Sequence, residues 1–296
     1  MRPTLTVFTP AYNRAHTLPR TYQSLCRQTC RDFEWLIIDD GSTDDTRTLV
    51  EQWMADNHIP IRYIYKENGG LHTGYNTAYA NIDTELCVCI DSDDWMPDNA
   101  VEIILNHWHK YGSDKYAGIT GLDFYPSGEP IGGYFPDGLT ECHIIDFYLK
   151  KIHGGDTKQV LRTELMRRVA PMQGFPGEKN FNPIYLILQV DDKYPSLILN
   201  ENLCFVEYQQ GDSMSAGIFR QYLNSPHSFA KQRRLEMTLS HNTWRNLVRL
   251  AIHYNSSCII AGERDWLKTS PRKMLTLLTR PFGWVLAKYI TNKART

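Results

Sequence analysis

Three carboxylates that follow a short apolar run are the residues of this chain best suited to binding a divalent metal ion. The run covers residues 86–90 (LCVCI), and Asp91, Asp93 and Asp94 come after it. A run this apolar predicts a strand that is buried on both faces, as in a parallel sheet covered by helices. Ligands of such sheets bind outside the carboxyl ends of the strands, where these acids are expected to lie.

The spacing of Asp91 and Asp93 indicates that they could act together. Alternate residues of an extended segment point to the same side, and carboxylate oxygens are the ligands that Mg²⁺ and Mn²⁺ prefer. We therefore predict a Mn²⁺ or Mg²⁺ site at which the bound ion holds a phosphate group. The alternative interpretation is that the acids cap a helix that begins near Pro97 and Asp98.

Other predicted strands lead to the same edge of the sheet. Residues 34–40 (EWLIIDD) form a second apolar run that ends in acids, and Ser42 with Asp45 resembles the capping box of a following helix. Residues 5–9 and 61–65 predict two more strands, each followed by a polar loop. Because strands alternate with helical patterns here, the sequence predicts an α/β fold with a doubly wound, Rossmann-like and mostly parallel sheet.

Four short motifs, in this order and spacing, together resemble family 2 glycosyltransferases. They are PAYNR at residues 10–14, IIDDGSTD at 37–44, ENGG at 67–70 and IDSDDWMPD at 90–98. The resemblance implies an inverting enzyme with the nucleotide-binding fold called GT-A. A weaker likeness to bacterial enzymes that build capsular, exopolysaccharide and lipopolysaccharide chains lies in residues 153–165 (HGGDTKQVLRTEL), 175–181 (FPGEKNF) and 200–215 (NENLCFVEYQQGDSMS).

The resemblance implies a site for a nucleotide sugar, with a UDP-sugar as the expected donor. Asp40 matches the acid that contacts uracil in the family, Asp93 is the expected metal ligand, and Asp91 is expected to serve the ribose and the metal. The amides at the start of the next helix are expected to face the diphosphate. The full set of expected donor-binding residues is Pro10, Ala11, Tyr12, Asn13, Asp40, Asn68, Gly69, His72, Asn76, Asp91 and Ser92.

Two positions depart from the family pattern. Leu71 stands where many related sequences have a lysine, which removes one phosphate contact. Family members usually carry a Glu-Asp pair whose Asp is the catalytic base, whereas this chain has Glu178 followed by Lys179. We expect Glu178 to be the base, with Asp191 and its neighbour at position 192 as alternatives. The other interpretation of Glu178 is a loop acid paired with Lys179.

The last part of the chain has its own character. The pattern is helical from residue 226 onward, and from Trp266 onward apolar and basic residues are interleaved without any acid. This composition predicts a peripheral contact with an anionic membrane; the alternative is a helix hairpin packed on the catalytic domain. The predicted domains are residues 1–225 (catalytic, with 1–125 for the donor and 126–225 for the acceptor) and 226–296 (a helical, amphipathic extension).

The charge and the composition of the chain limit the functions and partners that it could have. The formal net charge of −1 gives no indication of a nucleic-acid partner. We expect no signal peptide and no membrane span, and the seven cysteines fit free thiols, so we expect a cytoplasmic protein at the inner face of the cell membrane. The expected acceptor is a glycan or a lipid-linked glycan. Two rival functions remain: a sugar nucleotidyltransferase, and a non-catalytic paralogue that binds nucleotide or glycan.

Overall fold

The computed structural model describes residues 3–207 and 217–294, which form two compact units. The first unit contains Met1–Gly69, Thr73–Pro171 and Lys193–Glu207, and the second contains Gly70–His72, Met172–Asp192 and Tyr208–Thr296. Part of the weaker family likeness, residues 208–215, and the last two residues of the predicted membrane segment lie outside the described residues. The functional division at residue 226 stays a prediction.

The described strands of the first unit form one mixed sheet. They are β1 (Leu5–Ala11), β2 (Phe33–Asp39), β3 (Ile61–Tyr65), β4 (Leu86–Cys89), β5 (Gly118–Phe124), β6 (Glu141–Cys142), β7 (Thr157–Arg162) and β8 (Ser196–Phe205). Their order across the sheet is β3-β2-β1-β4-β7-β5-β8-β6. The first four strands are parallel to one another, β5 is parallel to β8, and β6 and β7 are antiparallel to their neighbours. The predicted α/β fold with a mostly parallel sheet is confirmed.

Helices follow several strands of the first unit, and further helices belong to the second unit. In chain order they are α1 (Leu18–Cys26), α2 (Thr46–Asp56), α3 (Leu71–Asn81), α4 (Ala100–Tyr111), α5 (Ile144–Leu149), α6 (Thr163–Val169), α7 (Ile184–Asp191), α8 (Ile218–Asn224), α9 (Pro226–Glu236), α10 (Trp244–Ile260), α11 (Trp266–Thr269) and α12 (Lys273–Lys293). The apolar strands β1, β2 and β4 are buried almost throughout, as expected for strands covered on both faces.

The register of the sheet aligns the carboxyl ends of the central strands. Ala11 in β1 is opposite Asp39 in β2, and the carbonyl of Ala11 accepts from the Asp40 N–H at 2.8 Å. On the other side of β1, the Ile90 N–H donates to the Phe8 carbonyl at 3.0 Å. The loops that carry the sequence motifs therefore leave the sheet side by side.

The predicted capping box of α2 was wrong, and the alternative interpretation of the acids after β4 as helix caps was also wrong. Helix α2 begins at Thr46, and its N-cap residue Asp45 makes no side-chain cap hydrogen bond. Ser42 instead accepts from the Asn13 N–H at 2.9 Å, because the loops after β1 and β2 are joined there. Helix α4 begins at Ala100, well beyond the acids that follow β4, so those acids do not cap it.

The described part of the second unit is helical, as predicted from residue 226 onward. Helix α12 packs on α10 through its small residues, since a Cβ atom on Gly283 would lie 2.3 Å from Asn255 Cβ. The Asn255 side-chain amide donates to the Thr276 carbonyl at 2.8 Å and to Thr279 Oγ1 at 3.1 Å. No helix within residues 3–207 and 217–294 is both long enough and apolar enough to cross a membrane.

Candidate active site

The loop after β1 is held by the loop after β2. Asn13 has a left-handed backbone with φ 55°, a conformation that Asn adopts more readily than most residues. Its Oδ1 accepts from the Thr43 N–H at 2.8 Å, in addition to the bond from its own N–H to Ser42. Nearby, Thr46 Oγ1 accepts from the Arg14 N–H at 3.0 Å. These contacts fix the PAYNR segment at the edge of the sheet.

The predicted base-packing residues lie at the end of β1. Pro10 and Ala11 are in the strand, and Tyr12 follows with 48% of its side chain exposed. Helix α3 passes close by, because a Cβ atom on Gly74 would lie 3.3 Å from Pro10 Cβ. Asn76 is half-buried in the same helix. The ring of Tyr12 is therefore exposed directly after a segment that packs closely on α3.

Asp40 is the centre of a network that gathers the loop after β3. Its Oδ1 accepts from the ammonium group of Lys66, from the Gly69 N–H at 3.0 Å and from Thr73 Oγ1 at 3.3 Å. Its carbonyl oxygen accepts from Asn68 Nδ2 at 2.8 Å. The structure therefore brings together three of the residues that the sequence assigns to the donor site, at positions 40, 68 and 69.

The turn after β2 approaches Asn68 so closely that position 41 requires a glycine. Gly41 has φ +85°, and a Cβ atom there would lie 2.8 Å from the backbone nitrogen of Asn68. The preceding residue, Asp39, is fully buried and accepts from the Ser42 N–H at 2.7 Å and from the Tyr63 hydroxyl at 2.5 Å. Burial and this hydrogen bond raise the pKa of Tyr63. Asp39 thus supports the turn that presents Asp40.

The acids after β4 lie in a tight turn. The Asp94 N–H donates to the Asp91 carbonyl at 3.0 Å, and Arg20 Nη2 donates to the Asp93 carbonyl at 2.5 Å. Asp91 is exposed, Ser92 is buried and Asp93 is half-buried. Within residues 3–207 and 217–294, no hydrogen bond or ion pair to the Asp93 carboxylate is formed. That carboxylate is therefore available to a ligand.

A buried ion cluster next to these acids was not predicted from the sequence. Lys158 in β7 has its Nζ 3.9 Å from Asp94 Oδ2 and 3.7 Å from Asp123 Oδ1, and all three side chains are buried. The sequence carried a signal for Asp123, which is the single acid in the otherwise uncharged strand β5. Only the pairing of β7 between β4 and β5 places Lys158 between the two acids.

Burial and mutual repulsion raise the pKa values of the acids in this cluster. Burial raises the pKa of Asp94 to about 8 and that of Asp123 to about 6, although Lys158 opposes both shifts. Asp91 is open to solvent on one side, but protein atoms around its carboxyl group still desolvate it. This desolvation raises the pKa of Asp91, although the charge of Lys158 acts to lower it. Burial alone would lower the pKa of Lys158, but the acids, Asp123 first, raise it well above its usual value. Such crowded acids favour an added cation.

The other predicted site residues lie in the second unit. His72 is buried, its ring centroid is 6.2 Å from that of Phe181, and a Cβ atom on Gly174 would lie 2.2 Å from His72 Nε2. Asp191 is 1% exposed in α7, and Asp192 accepts from the Ser240 N–H at 2.7 Å. The assignment of His72 to the donor site and of Asp191 to catalysis stays a prediction.

Glu178 contacts the first turn of α9. Its Oε1 accepts from the His227 N–H at 2.9 Å and lies 2.8 Å from His227 Nδ1, while Oε2 accepts from the Ser228 N–H at 2.8 Å. These N–H groups have no partner inside the helix, so the carboxylate satisfies them. Glu178 is buried to 7% exposure. The contact of Glu178 with α9 could not be predicted from the sequence, because the residues are about fifty positions apart.

No cluster of three or more His, Cys, Asp or Glu side chains that could hold a metal ion occurs in the described ranges. This is compatible with a Mg²⁺-type site, because such ions are usually held by one or two carboxylates together with substrate phosphates. The two-carboxylate set of Asp91 and Asp93, with the unpaired group of Asp93, fits that description.

Comparison with known proteins adds to these findings. The family model described as glycosyl transferase family 2 matches residues 6–163. Over 108 residues the chain is 36% identical to chondroitin synthase of Escherichia coli; the match covers 36% of this chain and 16% of that protein, so the chain spans about a sixth of its relative.

Two solved structures are similar over nearly the whole chain. S. aureus TarS 1-349 in complex with UDP-GlcNAc has a TM-score of 0.63 at 14% identity, covering 98% of this chain and 91% of that one. Mannosyltransferase PcManGT from Pyrobaculum calidifontis in complex with GDP-Man and Mn2+ has a TM-score of 0.57 at 16% identity, covering 100% of this chain and 86% of that one. At these identities the likeness shows the fold, and the predicted GT-A architecture is confirmed.

Proposed function

The chain belongs to glycosyl transferase family 2, and from this premise we propose that it transfers a sugar from a nucleotide-sugar donor to a glycan or lipid-linked acceptor with inversion. The reaction would serve the synthesis of a bacterial surface polysaccharide. The observation that carries the proposal is the edge of the sheet where Asp40 follows β2 and Asp91 and Asp93 follow β4, the two strands that flank β1. The family match includes all three positions.

The donor is a UDP-sugar in this proposal. Asp40 supplies a carboxylate that can accept the imide N–H of uracil, and Tyr12 supplies an exposed ring just after β1, the strand that pairs with β2. The similar TarS structure contains UDP-GlcNAc and the similar PcManGT structure contains GDP-Man, so the choice of uracil rests on the carboxylate of Asp40. Cytosine has an acceptor where uracil has the imide N–H, so a carboxylate here favours UDP over CDP.

We expect Asp40→Ala to reduce this base selectivity. A hydrogen bond to a charged group contributes roughly 1.5–3 kcal/mol, so UDP affinity should fall roughly 10- to 100-fold while CDP affinity changes little. Calorimetric Kd values for both nucleotides would measure the ratio. Lys66→Met is the matched control, because it removes a partner of Asp40 but keeps the carboxylate. An unchanged UDP-to-CDP ratio in Asp40→Ala would assign base recognition elsewhere.

Asp93 and Asp91 would hold a Mn²⁺ or Mg²⁺ ion together with the donor diphosphate. The bound ion would act as a Lewis acid that stabilises the negative charge of the departing UDP. The rest of the turn supports this arrangement, since Arg20 holds the Asp93 backbone and leaves its side chain without a protein partner among the described residues. The Mn2+ of the similar PcManGT structure agrees with this choice of ion.

Glu178 is the proposed catalytic base. In a single displacement the base accepts the proton of an acceptor hydroxyl while that oxygen attacks the anomeric carbon opposite the departing UDP. Glu178 Oε2 accepts one hydrogen bond from the backbone, so it retains a lone pair for this proton. Asp191 is less suited, because it is more deeply buried, at 1% exposure compared with 7% for Glu178.

The family match favours this function over the two rivals. A nucleotidyltransferase would release pyrophosphate, and a non-catalytic paralogue would bind a nucleotide without turnover. The test is to incubate the protein and Mn²⁺ in one assay with a panel of nucleotide sugars and in another with UTP and sugar 1-phosphates, and to measure UDP and pyrophosphate. Release of UDP from a UDP-sugar supports the proposal, and release of pyrophosphate from UTP in the presence of a sugar 1-phosphate supports the nucleotidyltransferase.

The proposal includes docking of α12 on an anionic membrane surface at the cytoplasmic face of the cell membrane. One face of α12 is buried and consists of Thr276, Thr279, Gly283, Ala287 and Ile290. The opposite face exposes apolar side chains at 49–71%, namely Met274, Leu277, Leu278, Phe282, Trp284, Val285 and Tyr289. The same helix carries four basic residues and no acid. Charge complementarity therefore favours an anionic lipid surface.

We expect the double variant Leu278→Ser/Phe282→Ser to bind anionic vesicles at least about tenfold more weakly, because two exposed apolar side chains are lost from the contact. Binding of the unchanged protein should also fall as salt is added. Vesicle co-sedimentation measures both effects. Tyr148→Ser, at an equally exposed position in α5, is the control. Concentration-dependent dimerisation through this face, without vesicle binding, would assign it to a second copy of the chain.

A further inference from the structure

The second unit contains a cavity that no other part of the proposed mechanism uses. Its volume is about 230 Å³, and residues of α9, α10 and the segment after α10 line it. Ligand pockets for whole drug-sized molecules are usually about 300–1,000 Å³, so this one suits a single small group. Along α9 the lining residues are His227, Lys231 and Arg234, which recur at helical spacing on one face.

The basic side chains that line the cavity are not all paired with acidic side chains among the described residues. Arg234 forms no hydrogen bond or ion pair with any residue in the ranges 3–207 and 217–294. Lys231 Nζ donates to the Gln173 carbonyl at 2.8 Å, which leaves two of its three donors. Glu263 is the one acid of the lining, and it makes no ion pair with Arg234 within the described residues. The walls therefore offer free donors and a positive potential.

Aromatic rings hold the lysine at the cavity wall. Lys231 Nζ lies 5.6 Å from the ring centroid of Phe175, 5.7 Å from that of Phe181 and 5.8 Å from that of Tyr185. Burial, and then the charge of Arg234, lowers the pKa of Lys231. Two neighbouring cations in a partly desolvated cavity are stabilised when an anion binds between them.

We propose that this cavity binds an anionic group of the acceptor, a phosphate or a carboxylate, with Arg234 and Lys231 as the principal donors. The inference rests on the proposed function for its link to an acceptor. His227 connects the two, because it lines the cavity and its Nδ1 lies 2.8 Å from Glu178 Oε1, the proposed base. An acceptor whose charged group is anchored here would have a neighbouring hydroxyl near that base.

The test uses the full chain and two free probes, glycerol 1-phosphate and glucuronate, which separate the two possible sources of the negative charge. Binding is measured by calorimetry and by the probe-dependent rise in Tm at constant ionic strength. At least one probe should bind the unchanged protein. Arg234→Gln and Lys231→Gln should each weaken that binding by about tenfold or more, the scale of a lost charge-assisted hydrogen bond. Arg234→Lys keeps the charge and should retain most of the affinity.

Arg245→Gln, an exposed arginine at the start of α10, is the control for a lost charge elsewhere in the unit. Equal Tm values without probe would show that the variants fold. Absence of binding by both probes, or equal binding by Arg234→Gln and Arg245→Gln, would overturn the inference. UDP release from a UDP-sugar in water, measured in parallel, reports on the proposed function alone, so that either can fail without the other.

Discussion

Asp93→Asn is expected to abolish the metal-dependent part of UDP binding while the fold of the first unit remains intact. The Asp93 carboxylate is half-buried and makes no hydrogen bond or ion pair within the described residues, so its removal loses no internal contact. The turn itself is held by two hydrogen bonds to backbone carbonyls, from the Arg20 side chain to Asp93 and from the Asp94 N–H to Asp91. The substitution keeps both. The bound ion, in contrast, would lose its main protein ligand.

Calorimetry of UDP binding with and without Mn²⁺ would measure this effect, and circular dichroism with Tm would monitor the fold. Asp137→Asn is the matched control, because Asp137 is an exposed acid of the same unit that makes no hydrogen bond or ion pair with other described residues. If Mn²⁺ still increased UDP affinity in Asp93→Asn as much as in the control, the assignment of Asp93 to the metal would be wrong.

The placement of Asp40, Asp91 and Asp93 after buried strands could be predicted from sequence because it depends on local features. Apolar runs predict buried parallel strands, and parallel strands place their carboxyl ends at one edge, so Asp40 and Asp91 were expected at the same edge of the sheet. Side chains that look alike in sequence were harder to assign. Ser42 had the spacing of a capping residue, but its hydroxyl oxygen instead accepts a hydrogen bond from the Asn13 N–H.

The buried ion cluster and the partners of Glu178 depend on long-range packing that no local pattern encodes. Lys158 lies between Asp94 and Asp123 only because an antiparallel strand is inserted between β4 and β5. Glu178 was predicted as the catalytic base, and the other interpretation was a loop acid paired with Lys179. The structure shows instead that it joins the loop to the start of α9, which changes how its catalytic role must be tested.

Glu178→Gln is expected to keep UDP binding and to lose sugar transfer by roughly two or more orders of magnitude, the scale of a general base. The substitution also weakens the cap of α9, and loss of a capping side chain costs roughly 0.5–2 kcal/mol of stability. Ser225→Ala separates the two effects, because Ser225 accepts from the Asn180 N–H at 3.3 Å at the same helix start and carries no carboxylate. Transfer with the true acceptor and urea unfolding should be measured on both variants. A base role predicts similar losses of stability but a large loss of transfer only in Glu178→Gln. Equal losses of transfer would make Glu178 a structural residue, and transfer at the unchanged rate in Glu178→Gln would move the role to Asp191 or Asp192.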